Sequence, residues 1–304
     1  MKLIFYTIDV FTNKIFGGNP LAVFLGADEL SSIQMQSIAK EINYSETAFV
    51  LKPENKINTA KVRIFTPKNE LPFAGHPNVG ASFLLSKMPN LIPGEYKKNE
   101  MTFECKAGLV KICNKLNKEK IVLGTSIEAP QKLKLSDKVS VSIISECTGL
   151  NENQIYIKNF EPLIASVGLD FVIAEVENQR VLSSARCNTL AFEKANKRFD
   201  FGDDYLSLMI FCRSKRNEVH ARVFAPLSGI VEDPATGSAC GALGGLLASL
   251  EKENTGKYNY IIFQGYEIDR PSRVEINISK VNNIITKPWI YGECVIVAEG
   301  KFYL

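Results

Sequence analysis

The sequence predicts an α+β fold of two similar domains, each made of short strands packed on one buried helix. Three observations carry that reading. Strand-like apolar runs outnumber helical ones from end to end. A motif recurs 159 residues apart, as Arg63-Ile64-Phe65-Thr66-Pro67 and Arg222-Val223-Phe224-Ala225-Pro226. After each copy comes a stretch nearly without charge: residues 72–86 carry only His76, and residues 235–250 carry no charged side chain. A helix apolar on all sides is buried on all sides, and about 16 residues fall short of the roughly 20 a bilayer requires, so both stretches read as core helices.

Taken in order, strands are expected at 3–10, 21–25, 47–51, 61–66, 108–113 and 121–123 in the first domain. In the second they fall at 163–167, 171–174, 206–212, 219–224, 260–263, 273–278 and 294–298. Residues 31–42 read as an amphipathic helix with a Ser start and Ile33, Ile38 and Ile42 on its apolar face; 188–199 is a second, more polar one. The row Gly237, Gly241 and Gly245 costs helix propensity, which makes sense where strands approach a helix closely. Arg63 and Arg222 read as partners in structural ion pairs. The domains are expected at 1–125 and 126–288.

Composition narrows the functional classes. The chain has 304 residues, 45% hydrophobic and 23% charged, which sets disorder and fibres aside. Its 36 basic and 33 acidic side chains leave a net charge of +3, too balanced to point to nucleic acid or a membrane surface. Seven scattered cysteines without a C-x-x-C pair argue against a disulfide framework or a zinc site. Two histidines without H-x-x-x-H spacing argue against a metal centre. With no signal peptide in view, the cytoplasm is the expected location.

Candidate chemistry sits at the starts of the two buried helices. A helix leaves its first N–H groups unpartnered and presents its positive dipole end there, so it suits an anion. Pro77 and Pro234 are placed at the first helical positions, with His76 and Asp233 as caps. Packed face to face, the two halves would direct both ends into one cleft suited to a small carboxylate. Glu46 shares a strand face with Ala48 and Val50; if that face turns inward, burial raises its pKa toward neutrality, where a general base works best.

Gly17-Gly18-Asn19-Pro20-Leu21-Ala22-Val23, the run 43–49 around Glu46, Gly75-His76-Pro77-Asn78-Val79-Gly80, and Asp233-Pro234-Ala235-Thr236-Gly237-Ser238-Ala239 stand in the order seen in the PhzF family of phenazine-biosynthesis-like isomerases. The chain resembles that family over essentially its whole length. The resemblance implies a diaminopimelate-epimerase-like fold: two pseudo-symmetric domains, each a curved, mostly antiparallel sheet or barrel wrapped around a central helix, with the final strand, 289–304, joining the first domain, usually as a homodimer. It implies Glu46 as the proton-transferring acid/base, with His76, Asp233 and Ser238 as polar partners. Backbone N–H groups around Gly75 and Gly237 would hold the substrate carboxylate, with Asn78 also at the substrate. Asn78 stands where the family commonly has Thr, a departure that bears on the helix start or on a substrate contact. The implied reaction is a cofactor-independent double-bond migration on a small carboxylate resembling trans-2,3-dihydro-3-hydroxyanthranilate. Two alternatives stay open: an amino-acid racemase or epimerase of the same fold, and a metabolite-binding protein without chemistry. The two-thiol form of the racemase is disfavoured, because Cys240 lies inside a buried helix and neither helix entrance carries a cysteine.

Overall fold

Successive side chains along a strand point to opposite faces, and in the first unit of this protein the strands 19–25 and 46–51 are buried on both. The computed structural model describes residues 2–97, 99–199 and 205–304. Residues 1, 98 and 200–204, which the expected domains 1–125 and 126–288 include, lie outside the described residues. The chain divides into two units, Met1–Glu128 with Ile290–Leu304, and Ala129–Trp289.

In the first unit, β1 (Lys2–Val10) and β2 (Asn19–Leu25) form an antiparallel pair. Helix α1 (Ser32–Ile42) carries the chain to β3 (Glu46–Leu51), parallel to β2, and β4 (Ala60–Phe65) returns antiparallel. After the short β5 (Glu70–Leu71), helix α2 (Gly75–Lys87) leads to β6 (Glu100–Cys105), parallel to β4. Strands β7 (Gly108–Leu116) and β8 (Val122–Glu128) follow antiparallel. The last strand, β18 (Trp289–Tyr303), pairs with both β8 and β1 and closes the ring β1-β2-β3-β4-β6-β7-β8-β18. Every residue of α2 from Gly75 to Ser86 is buried, as its lack of charge requires.

Helix α1 covers the other face of this sheet. The Ser31 side chain accepts the Gln34 N–H, and Gln34 reaches back to the Ser31 N–H, a reciprocal cap that fixes the start. The helix stops at Asn43, in the left-handed region at φ 56°. Met35, Ile38 and Ala39 pack on Phe24, Phe49 and Phe65. The expected apolar face is corrected at one position: Ile33 is 80% exposed, because the buried stripe starts at Met35 and Ile33 falls on the opposite side of the first turn.

The second unit contains β9 (Lys134–Lys138), α3 (Val141–Thr148), β10 (Leu163–Ser166), β11 (Asp170–Glu175), α4 (Gln179–Ser184), α5 (Thr189–Asn196), β12 (Leu208–Lys215) and β13 (Glu218–Ala225). It continues through β14 (Ile230–Asp233), α6 (Gly237–Leu250), β15 (Gly256–Gln264), β16 (Ser272–Val281) and β17 (Ile284–Ile285). Its pairing repeats that of the first unit. The β10–β11 pair is antiparallel, β11–β12 parallel across helices, β12–β13 antiparallel, β13–β15 parallel across α6, and β15–β16 antiparallel. The repeated arginines mark equivalent places, Arg63 opposite Phe49 and Arg222 opposite Ile210. Each is locked by a bidentate carboxylate, Glu70 for Arg63 and Glu232 for Arg222.

Helix α6 is buried from Gly237 to Ala248. The close strand approach falls at Gly244, outside the expected glycine row: a Cβ there would lie 2.6 Å from Ile276 Cγ2 of β16. Among the described residues, no helix is long and apolar enough to cross a membrane.

Candidate active site

Glu46 opens β3 on the face shared with Ala48 and Val50, opposite the Phe49 side that α1 covers. That face meets α2. The Glu46 side chain is 14% exposed, and its Oε2 lies 3.5 Å from His76 Nδ1. This is longer than an ordinary N–H···O bond. Burial pushes the Glu46 carboxyl up to about 7, against a smaller opposing effect of the Ser45 hydroxyl, whose hydrogen bond favours the charged form.

Both helix starts depart from the expected capping. Helix α2 begins at Gly75, with Ala74 as its cap residue, so His76 is the second helical residue and Pro77 the third. Pro77 is tolerated there because the first turn has no intrahelical use for its missing N–H. Helix α6 begins at Gly237 with Thr236 as its cap residue. Asp233 therefore closes β14, paired with Val223, and Pro234 precedes the helix. The physical reason lies in the turn Asp233-Pro234-Ala235-Thr236: Thr236 Oγ1 donates to Asp233 Oδ2, and Gln264 Nε2 donates to the Asp233 carbonyl at 2.7 Å and to Thr236 Oγ1 at 3.1 Å.

Within each unit the expected residues gather at one helix entrance. Glu46, Gly75 and His76 do so in the first; Asp233, Gly237 and Ser238 do so in the second. Gly75-His76 and Gly237-Ser238 hold the same first two helical positions. Asn78 behaves differently. It is fully buried, its Nδ2 donates to the Ala74 carbonyl at 2.9 Å, and its Oδ1 accepts the Cys105 thiol at 3.3 Å. Both ends of its amide are thus engaged inside the unit, which favours the helix-start role of Asn78 over the substrate contact. The second unit repeats the device with the partners exchanged: Cys240 on α6 donates to Gln264 Oε1 on β15 at 3.7 Å. Burial pushes the Cys240 thiol far up and the Cys105 thiol up to about 12, so neither is a thiolate near neutrality.

Three residues at these entrances were not among the expected site residues. Ser45 and Asn19 are joined by a hydrogen bond of 3.1 Å from Ser45 Oγ to Asn19 Oδ1. Gln264 supports the Asp233 turn. Asn19 and Ser45 lie inside quoted motifs, so a signal existed; Gln264 ends an ordinary strand and carries none. Among the described residues, no group of three or more His, Cys, Asp or Glu is placed to hold a metal ion.

A sequence model of the family described as phenazine biosynthesis-like protein matches residues 8–300. The chain is 33% identical over 302 residues to the trans-2,3-dihydro-3-hydroxyanthranilate isomerase of Pseudomonas aeruginosa, covering 99% of each. A solved PhzF-family phenazine biosynthesis protein of Bacillus anthracis is similar at a TM-score of 0.86 and 27% identity over 100% of both chains. A hydroxyproline epimerase of Agrobacterium vitis shares the fold alone, with a TM-score of 0.66 at 11% identity, covering 99% of this chain and 92% of that one. The α+β, epimerase-like architecture is shared with these two solved structures.

Proposed function

We infer the finer activity from one premise: the chain belongs to the PhzC-PhzF family of phenazine biosynthesis-like proteins, and it is an isomerase. The proposed reaction is a proton transfer that moves a double bond in a small carboxylated substrate, without a cofactor. Glu46 takes a proton from one carbon and the protonated acid supplies one to another. A carboxyl titrating near 7 suits both halves of that exchange, because neither form is strongly preferred at neutral pH.

His76, across 3.5 Å, is assigned to steady the charge that appears when the proton leaves. The N–H groups at Gly75 and Gly237 open buried helices and suit a carboxylate, with Asp233 and Ser238 as further polar partners of substrate. The relative of known name acts on trans-2,3-dihydro-3-hydroxyanthranilate, and a carboxylate of that kind is the proposed substrate class here. The observation that carries the reading is the buried Glu46 facing His76. Two-thiol racemisation gains no support, since Cys240 is held on Gln264 and kept protonated.

Steady-state turnover of trans-2,3-dihydro-3-hydroxyanthranilate and related cyclic carboxylates tests this directly. The expected result is that His76→Ala lowers kcat by 10²-fold or more while the substrate still binds. Unchanged kcat in a folded His76→Ala would remove His76 from the mechanism.

A further inference from the structure

The Gly17-Gly18-Asn19-Pro20 motif places an amide where the proposed base can feel it. Gly18 adopts φ +63°, and a Cβ there would lie 2.2 Å from the Val10 carbonyl oxygen, so only glycine lets the chain turn into β2. Pro20 then confines Asn19 to extended backbone, opposite Val10 in the β1–β2 pair. Leu21, two residues on, is the parallel neighbour of Glu46. Asn19 is 1% exposed, and its Oδ1 accepts the Ser45 hydroxyl at 3.1 Å. The same Ser45 hydroxyl pulls the Glu46 carboxyl down, against the effect of burial.

A serine hydroxyl has one proton to donate. A bare carboxylate binds it more strongly than a neutral amide does, whereas a protonated carboxyl has its own proton and needs no donor. We propose that Asn19 is a positioning residue whose side-chain carbonyl competes with Glu46 for the single Ser45 proton. The hydroxyl turns to Glu46 when that carboxylate is bare and back to Asn19 when Glu46 carries the proton. Asn19 thereby stabilises the protonated state of the base and Ser45 the ionised one. The exchange moves no covalent bond; it redirects one O–H.

The groups around Glu46 leave this pair a clear part. Helix α2 sets His76 against it, and β2 carries no charged residue. On β4, Lys61 and Arg63 are paired with Glu54 and Glu70. On β1, Asp9 accepts the Phe16 N–H at 2.7 Å, and Lys40 and Glu41 of α1 are exposed. The inference rests on the reading of Glu46 as the base only for its consequence in catalysis, because the titration below needs no substrate.

The experiment follows the Glu46 carboxyl carbon by ¹³C NMR against pH in the full-length chain, assigned by its disappearance in Glu46→Gln. Asn19→Ala is expected to lower the midpoint by about one pH unit, the effect of one charge-assisted hydrogen bond, and Ser45→Ala to raise it. Ser45→Thr, which keeps the hydroxyl, restores the wild-type midpoint. Adding Asn19→Ala to Ser45→Ala produces no further shift. If Asn19→Ala does not fold, the Ser45 pair alone decides, since an unmoved midpoint in Ser45→Ala overturns the proposal. An Asn19→Ala shift that persists in the Ser45→Ala background also overturns it. The pH profile of kcat/KM, recorded on the same proteins, follows these midpoints only if Glu46 is the base, so the two readings fail separately.

Discussion

Ser207 stands in the second unit where Glu46 stands in the first. Thr47 lies opposite Phe65 and Leu208 opposite Phe224, the two phenylalanines of the repeated motif. The parallel pairings agree, Ala22 with Thr47 and Val172 with Leu208. The residue before each is Glu46 in one copy and Ser207 in the other. The scaffold is thus duplicated, and the carboxylate at this position is present once. A protein so built has no equivalent carboxylate to replace Glu46 when it is lost.

The raised carboxyl of Glu46 is also a statement about stability. Its folded value of about 7 lies above the ordinary 4.5, so the folded state holds the proton more tightly than the unfolded chain. Its contribution is complete below pH 4.5 and is lost as pH rises through 7. Relative to wild type, Glu46→Gln is expected to gain about 3 kcal/mol between pH 4 and pH 8. Chemical denaturation at the two pH values measures this, and a difference independent of pH would contradict burial as the cause.

The duplicated arginines are expected to differ in worth. Arg222 and Glu232 are 5% and 9% exposed, and Arg222 Nη1 also donates to the carbonyls of Leu182 and Ala185. Arg63 and Glu70 are 21% and 22% exposed. Removing one partner of a buried pair leaves an uncompensated charge, so Arg222→Ala is expected to cost about 3–5 kcal/mol. Arg63→Ala costs about 1 kcal/mol. Equal losses in urea titrations would refute the distinction.

Gly244 tests the packing of α6. Gly244→Ala thrusts a methyl group against Ile276 Cγ2 and is expected to cost about 1–3 kcal/mol by overpacking. In an Ile276→Ala background the same change is neutral or stabilising, since alanine is worth up to about 1 kcal/mol over glycine within a helix. Melting temperatures of the four proteins check the cycle.

The thiols are expected to be bystanders. Cys240→Ala should retain turnover, and Cys105, Cys147 and Cys212, pushed up to between about 11 and about 12, should resist a disulfide reagent at pH 8. Loss of turnover in a folded Cys240→Ala would restore the thiol racemase as a reading.

Much of this was legible because the core is written in period and charge. Strands such as Glu46–Leu51 and Glu218–Ala225 show as β-branched and aromatic runs, and the charge-free stretches mark both central helices. What escaped had no such imprint. Strand Lys134–Lys138 is exposed throughout and lacks an apolar face, and the helices Val141–Thr148 and Gln179–Ser184 are too short to show a stable period. The helix starts were misplaced because X-Pro was read as cap and first turn. In α2 the proline is the third helical residue rather than the first, and before α6 it belongs to a turn stapled by Thr236 and Gln264. At the candidate site, Glu46 and His76 could be named from motifs, but their 3.5 Å approach depends on the parallel β2–β3 register and the α2 start, which no local pattern encodes.

The central claim is that Glu46 moves the proton. The most direct measurement is deuterium incorporation from D₂O into trans-2,3-dihydro-3-hydroxyanthranilate and related small carboxylates, read by NMR and mass spectrometry, for wild type and Glu46→Gln. The account predicts incorporation at carbon in the wild type and none in a folded Glu46→Gln that still binds the same compound. Incorporation at a near wild-type rate in Glu46→Gln would contradict it.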